Sequence, residues 1–165
     1  MNCECFSAKK GYICETAAQK GHLDCLRYAH ENGCPWNWKT CAHAAANGHL
    51  KCLKYAHENG CPCEEGTCMR AASYGHLDCL RYAHENGCPW DSGTVHWAIS
   101  EEKWSCAIYA IENGCPYKPT DIPVHLKKTL MHRKVRRLFP VLAGALRQRG
   151  KNKHYQNSII VRNKY

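Results

Sequence analysis

Cysteine and histidine, the side chains that most often bind metals or act as nucleophiles, are frequent in this sequence: 14 cysteines and 11 histidines occur among 165 residues. Eleven of the cysteines recur at one constant interval and form three columns. The columns are Cys14, Cys41 and Cys68; Cys25, Cys52, Cys79 and Cys106; and Cys34, Cys61, Cys88 and Cys115. Val95 continues the first column, as a small buried apolar position would allow. The chemistry of these residues therefore depends on how far one repeat lies from the next.

Members of one column are expected to lie too far apart to act together. Packed helices are about 8–10 Å apart, whereas a disulfide needs Cα atoms within about 7 Å and zinc needs sulfurs about 2.3 Å from one metal. We therefore predict reduced cysteines that pack as compact hydrophobic side chains, with no metal site. Zinc binding through Cys61 and Cys63, or through Cys3 and Cys5, is the alternative, although the sequence contains no C-x2-C spacing.

Two sets of histidines recur with the same period: His30, His57 and His84, and His22, His49 and His76. Ile111 replaces the first set in the last copy, which indicates a packing position, and Lys103 replaces the second. For the second set we expect helix capping and hydrogen bonds between repeats. A catalytic centre needs one nucleophile, one base and a group that orients the base, which near-identical copies do not supply. We predict no catalytic residue, no cofactor and no enzymatic activity.

A single repeated unit positions these side chains. The segment ENGCP begins at Glu31, Glu58, Glu85 and Glu112, a constant period of 27. A fixed period of this length is typical of solenoid proteins. In one copy, HLKCLKYAHEN carries apolar residues at three- and four-residue steps, which predicts an amphipathic helix that ends at Asn59-Gly60. An alanine-rich helix follows, and its expected N-caps are Thr40, Thr67 and Thr94.

One hairpin of two helices cannot bury its own apolar face, but stacked copies can. The first helix of the array is predicted at GYICETAAQ, one period before the helix that contains Cys41. Four helical pairs then occupy roughly residues 11–117. The predicted fold class is all-α, a solenoid of stacked helix-turn-helix repeats with a basic helical cap and tail at its C-terminal end.

The repeat resembles the ankyrin repeat. GHLKCLKYAHENG is similar to the second helix of that family, AAANGHL to the junction between its two helices, and VHWAI at 95–99 to its first-helix motif. Short copies that end in Cys-Pro-Trp resemble ankyrin-type proteins of large DNA viruses and protists. The period is shorter than the usual ~33 residues, and the missing residues fall where the family carries a β-hairpin. The resemblance therefore implies a helical stack without extended hairpins.

Charge divides the chain into two segments. Residues 1–117 contain 10 Lys and Arg against 13 Asp and Glu, whereas residues 118–165 contain 13 against Asp121 alone. We predict a repeat solenoid at 1–117 and a basic cap and tail at 118–165, with a helix from Val124 and another after Pro140. The basic residues of the first tail helix are Lys127, Lys128, Arg133, Lys134, Arg136 and Arg137. This helix would cover the last repeat, act as a nuclear import signal, bind phosphates, or lie on an anionic membrane or in a partner's groove.

The N-terminal sequence lacks the apolar run of a signal peptide. No stretch approaches the ~18 apolar residues of a membrane span. We expect a soluble, monomeric, intracellular protein, cytoplasmic or nuclear.

Comparison of the copies indicates where a partner would bind. The second helices hardly differ, whereas the loop and first helix vary, and variable positions on a repetitive frame form the binding surface of solenoid proteins. The candidate partner-binding residues are Trp36, Trp38, Lys39, His43, Glu64, Glu65, Met69, Arg70, Trp90, Asp91, His96 and Trp97. Trp36 and Trp90 share a column with Tyr117 and would alternatively close the loop over the core, so Trp38 and Trp97 carry more of the functional prediction.

The predicted function is therefore non-enzymatic binding of a protein partner, as a scaffold or adaptor, through the loop and first-helix surface. The alternative is a nucleic-acid-associated protein that binds phosphates through the basic tail. Such binding would weaken steeply with added salt.

Overall fold

The computed structural model describes Cys5 and residues 12–138. The α-helices of this part of the chain are α1 (Ile13–Lys20), α2 (Leu23–Glu31), α3 (Trp38–Ala46), α4 (Leu50–Glu58), α5 (Glu65–Tyr74), α6 (Leu77–Glu85), α7 (Ser92–Ser100), α8 (Trp104–Glu112) and α9 (Val124–Leu138). A short 3-10 helix at Pro119–Asp121 precedes α9. All regular structure in residues 12–138 is helical, as predicted.

The first eight helices form four helical pairs, each of which is one repeat. Within a pair the odd-numbered helix packs against the even-numbered helix that follows it, as α3 packs against α4. Odd-numbered helices also pack closely side by side, α1 with α3, α3 with α5 and α5 with α7, while successive even-numbered helices touch less. Fully buried alanines such as Ala44, Ala45, Ala71 and Ala72 permit this close approach. The predicted solenoid of stacked helical pairs is confirmed.

The core runs through all four repeats. Leu26, Leu53 and Leu80 occupy one column and are fully buried. The cysteine columns are buried with them, apart from Cys34, which is half-buried. The prediction that these cysteines pack as hydrophobic side chains is thus confirmed for every column member except Cys34 and Cys88, and Cys88 has a further role.

One cystine contradicts the expectation that every thiol is reduced. Cys63 and Cys88 form a disulfide between the loops that follow α4 and α6, with their Cα atoms 5.4 Å apart. The distance argument for the columns does not cover this pair, because Cys63 lies outside the columns. It stands where Trp36 and Trp90 stand in the neighbouring repeats. A loop residue of one repeat therefore reaches a column residue of the next.

We predict that peptide mapping of the oxidised protein, with free thiols alkylated before digestion, recovers Cys63 linked to Cys88. The linked peptide should disappear on reduction and in Cys63→Ser. Cys61→Ser is the matched control, because Cys61 lies two residues earlier and its thiol donates to the carbonyl oxygen of Asn37 at 3.1 Å; here the linked peptide should persist. Recovery of alkylated Cys63, or of Cys61 linked to Cys88, would contradict the pairing.

The first helix of a repeat begins differently from the prediction. Thr40, Thr67 and Thr94 are not N-caps; they lie inside the first turn and are fully buried. The caps stand three residues earlier. The side-chain oxygen of Asn37 accepts from the Lys39 N–H at 2.8 Å, and that of Asp91 accepts from the Gly93 N–H at 3.0 Å. Burial of the threonines in the stack, rather than capping, accounts for their recurrence.

The second helix of a repeat ends as predicted. In the ENG segment after α4, the Asn59 side chain donates to the carbonyl of Tyr55 at 2.8 Å. Gly60 adopts a φ of 83°, and the Cys61 N–H closes the turn on the carbonyl of Ala56 at 3.0 Å. Left-handed glycine at this position satisfies the last carbonyls of the helix.

The second helix begins with a contact between repeats. His22, His49 and His76 occupy N-cap positions but make no side-chain capping bond, so the capping prediction is wrong for all three. The rings of His49 and His76 instead lie over a glycine of the preceding repeat: a Cβ built on Gly21 would be 2.5 Å from Nδ1 of His49, and one on Gly48 would be 2.6 Å from Nδ1 of His76. We call this contact the glycine–histidine joint.

The described chain falls into two compact units, one ending at Ile122 and one beginning at Pro123. The second unit contains α9, which confirms the helix predicted from Val124. The predicted boundary after residue 117 and the capping role of α9 stay predictions. The helix expected after Pro140 lies outside the described residues.

Candidate protein-binding surface

The first helices carry one row of residues at the repeat spacing, Thr16, His43, Arg70 and Trp97. Because neighbouring first helices pack directly against each other, equivalent residues of successive repeats lie next to one another along the stack. Each of these side chains is at least partly exposed. We call this set the Arg70 row, and three of its members were predicted binding residues.

Arg70 has an unusual environment in this row. The residue is half-buried, but its Nε is fully covered and has no hydrogen-bond partner among the described residues. A covered donor without an acceptor costs about 1–3 kcal/mol, and more when it belongs to a charged group. Guanidinium groups pair with carboxylates through two parallel hydrogen bonds. The covered Nε is closed to an incoming group while Arg70 keeps this conformation, so a carboxylate would pair with it only if the side chain turned outward.

Positive charge is concentrated beside Arg70. Burial lowers the pKa of His43, and the charges of Arg70 and Lys39 lower it further, while Glu15 acts in the opposite direction. A lowered pKa keeps the imidazole neutral at neutral pH. Arg70 and Lys39 thus supply the positive charge of this part of the surface, although residues 1–117 are acidic overall.

Aromatic and sulfur side chains flank the row. The Trp97 side chain is 45% exposed, and the His96 ring meets it edge-on with centroids 5.6 Å apart. Trp38 is half-buried, because its ring crosses to the next repeat: a Cβ built on Gly66 would lie 3.3 Å from its Cζ3. Met69 approaches Gly93 in the same way. Trp38 and Met69 therefore contribute to packing between repeats as well as to the surface.

The loop tryptophans are held by stacking. Trp36 stacks on His30 with ring centroids 3.7 Å apart, and Trp90 stacks on His84 at 3.6 Å. Both are half-buried. In the first case Nδ1 of His30 also lies 3.1 Å from the hydroxyl of Tyr55 in the next repeat. These contacts favour the alternative in which the two tryptophans close the loops over the core.

The charged candidate residues lie at the N-terminal ends of the first helices. Lys39, Glu64 and Glu65 are exposed. Asp91 is exposed too, but its carboxylate already caps α7. Glu64 occupies the N-cap position of α5 without making a side-chain capping bond.

Residues 14–94 match the family model of ankyrin repeats in three copies. The chain is an ankyrin-repeat protein. The crystal structure of the human ASB11 ankyrin repeat domain shares the fold, with a TM-score of 0.55 and 21% sequence identity over 61% of this chain. The chain spans 53% of that domain. No curated protein matches the sequence.

Ankyrin repeats generally mediate protein–protein interactions, and the ankyrin fold is typically a non-enzymatic scaffold. In the described part of this ankyrin protein, no helix is both long and apolar enough to cross a bilayer. The recognition of the family from the repeat pattern is confirmed, and so is its all-helical fold.

One polar contact on the ankyrin surface was missed from sequence. The side chain of Asn37 donates to the carboxylate of Glu15 at 2.9 Å and so ties the second repeat to the first. Glu15 belongs to the column of Met69 and His96, two predicted binding residues, and that shared position is the signal that could have identified it. It is the acidic neighbour that opposes the pKa shift of His43.

The basic segment of the ankyrin protein is described only in part. Lys127, Lys128 and Arg133 are exposed on α9, and Leu126 is buried. The side chains of Lys134, Arg136 and Arg137 lie outside the description. The burial of Leu126 beside exposed lysines agrees with the amphipathic pattern of the sequence, whereas Val124 and Met131 are exposed.

Proposed function

We propose that the chain is a non-enzymatic adaptor that binds a protein segment containing a carboxylate beside an apolar side chain. The Arg70 row would receive it, with Arg70 pairing with the carboxylate and Trp97 packing against the apolar neighbour. The observation that carries the proposal is that a partly exposed arginine, Arg70, and an exposed tryptophan, Trp97, occupy the same row of the first helices. Exposed tryptophan beside a cationic group is a frequent anchor of interfaces.

The other candidate residues would surround this anchor. Lys39 adds positive charge on one side, and the lowered pKa of His43 favours its neutral form. Trp38 and Met69 extend the apolar surface from one repeat to the next, since each lies close to a glycine of the following repeat. Glu64 and Glu65 would favour partners with basic residues next to the central carboxylate.

The test begins with a displayed random peptide library selected against the full chain. Selected peptides should be enriched in Asp or Glu next to aliphatic or aromatic residues. Their affinity, measured by fluorescence anisotropy, should fall at least about 10-fold in Arg70→Ala and in Trp97→Ala, since anchors of this kind contribute about 2 kcal/mol. Lys51→Ala, an exposed change on α4, is the matched control and should leave the affinity unchanged.

Unchanged affinity in both Arg70→Ala and Trp97→Ala would refute the proposed site. The alternative function, phosphate binding by the basic tail, stays a prediction with a different signature. It requires binding of nucleic acid that weakens steeply with salt and that falls in a full-length variant with Lys127→Gln, Lys128→Gln and Arg133→Gln.

A further inference from the structure

Three potential metal ligands meet at the N-terminal end of the stack. The Sγ atoms of Cys5 and Cys25 and a ring nitrogen of His22 all lie within 4.8 Å of one another. Sγ of Cys5 is 3.3 Å from Nδ1 of His22. Cys5 and Cys25 are buried, and His22 is exposed, so the cluster opens to solvent on one side only.

The histidine of this cluster makes a different contact from the equivalent histidines of the later repeats. In the later repeats the residue equivalent to His22 covers a glycine of the repeat before it: His49 covers Gly21, and His76 covers Gly48. His22 is the equivalent residue of the first described repeat, and its Nδ1 lies 3.3 Å from Sγ of Cys5. A position that contacts a glycine in the later repeats thus meets a residue from outside the array here.

Cys25 differs from its column in the same way. It is 8% exposed, whereas Cys52, Cys79 and Cys106 are each 1% exposed. Cys25 is therefore the most exposed cysteine of its column. The other thiol of the cluster, that of Cys5, comes from outside the repeats.

We propose that Cys5, His22 and Cys25 bind a zinc ion, with water as the fourth ligand. Zn–S distances of about 2.3 Å and Zn–N distances of about 2.0–2.1 Å in a tetrahedron place neighbouring ligand atoms about 3.5–3.8 Å apart. The Cys5–His22 separation of 3.3 Å is close to these values, and the other two separations are at most 4.8 Å. Two thiolates and an imidazole favour zinc over magnesium or calcium, which prefer oxygen ligands.

The distance between repeats rules out a metal bound by members of one cysteine column, but it does not rule out a metal bound by Cys5, His22 and Cys25. That argument concerns equivalent residues on successive repeats, whereas Cys25 and His22 lie three residues apart at the start of one helix, and Cys5 comes from another segment. The bound ion would join Cys5 to the helix of the first described repeat that begins beside His22.

Cobalt substitution provides the test on the full-length chain. The reduced, chelator-stripped protein is titrated with Co²⁺ under anaerobic conditions, and Zn²⁺ is then added. We expect one equivalent of Co²⁺ to produce thiolate-to-cobalt charge transfer and the visible bands of tetrahedral cobalt, both removed by Zn²⁺. Cys5→Ala, His22→Ala and Cys25→Ala should each weaken binding by more than about 100-fold, since even loss of an outer partner costs about 10–100-fold.

Matched controls come from the next copies of the same columns. Cys52→Ala is equivalent to Cys25→Ala, and His76→Ala is equivalent to His22→Ala; both should retain cobalt binding within about 3-fold, because neither site holds the proposed ion. His22 is exposed, so His22→Ala keeps the fold and separates loss of a ligand from unfolding. Circular dichroism confirms this. Absence of charge transfer at one equivalent would show a hydrogen-bonded cluster rather than a metal site. Bands that persist in His22→Ala and Cys5→Ala would show that cobalt binds other thiols. Either result would overturn the proposal.

Discussion

Between about pH 9 and about pH 11 the ankyrin stack is expected to lose most of its stability. Burial raises the pKa of six column thiols above their ordinary value of 9.0, to about 11 or 12. These thiols are Cys14, Cys52, Cys68, Cys79, Cys106 and Cys115. The unfolded chain releases their protons as the pH passes about 9, whereas the folded chain retains them.

The sign follows from this difference in bound protons. The contribution of the thiols to stability is fully present below the unfolded pKa and is lost as the pH rises toward the folded pKa, because ionisation lowers the free energy of the unfolded state alone. Each pH unit in this window costs at most about 1.4 kcal/mol per thiol. Six thiols would cost up to about 8 kcal/mol per pH unit, which is comparable to the whole stability of a domain, about 5–15 kcal/mol.

Urea denaturation in deoxygenated buffer, followed by circular dichroism at a series of pH values, measures the effect. Cys68→Val is the informative control, because Val95 shows that this column accepts valine. The variant should remain folded at neutral pH and show a shallower loss of stability above about pH 9, by the share of one thiol. A free energy of unfolding that stays constant up to about pH 10.5 would contradict the prediction.

Gly48→Ala is expected to lower the free energy of unfolding by about 3–4 kcal/mol. The φ of Gly48 is 72°, a left-handed conformation that costs an L-residue roughly 1–2 kcal/mol. A Cβ at this position would also lie 2.6 Å from Nδ1 of His76. Moving that ring out of a packed contact costs a further ~1–3 kcal/mol.

Gly60→Ala separates the two contributions. Gly60 has a similar φ of 83°, but no atom lies within 4 Å of a Cβ built there. Its substitution should therefore cost only the backbone share, about 1–2 kcal/mol. In the double variant Gly48→Ala with His76→Ala, the steric share of the Gly48 penalty should vanish. Chemical denaturation measures the free energy of unfolding of each variant. Equal losses for Gly48→Ala and Gly60→Ala would show that the ring of His76 moves aside at no cost in free energy.

The last repeat already contains a natural counterpart of this substitution. Glu102 stands two periods after Gly48 and has a φ of 55°. A side chain is accepted there because the repeat pattern does not continue beyond this copy, so no histidine of a further copy presses on it. At Gly21 and Gly48 the missing side chain makes room for the histidine ring of the next copy, and at Gly75 it makes room for the side chain of Lys103.

Most of the fold could be predicted from the period of the sequence. Apolar positions that recur once in every repeat must face one another in a stack, since each hairpin alone leaves them in water. The neighbours within the Arg70 row follow from the same spacing. The N-caps could not be placed correctly, because Thr40 and Asn37 both suit a cap, and the choice depends on which of them the next repeat buries.

Features that differ from one repeat to the next, or that involve residues outside the repeats, could not be predicted from the period. The Cys63–Cys88 disulfide depends on the path of two loops, which the helical pattern does not constrain. The lack of a partner at Nε of Arg70 depends on which neighbouring side chains cover it, since side-chain conformations are decided by contacts across repeats. The meeting of Cys5 with His22 joins a residue outside the repeats to one inside them, and the repeat period carries no information on such a contact.

The glycine–histidine joint bears on how such an array can lengthen. Every internal copy carries both halves of the joint, a glycine for the copy after it and a histidine for the copy before it, at fixed places in the repeated unit. Duplication of one unit within the gene would therefore supply a fitting neighbour on both sides without any compensating mutation. Growth or shortening by whole units is then structurally neutral at each new junction, while insertion of a partial unit would place a side chain against the ring and be selected against.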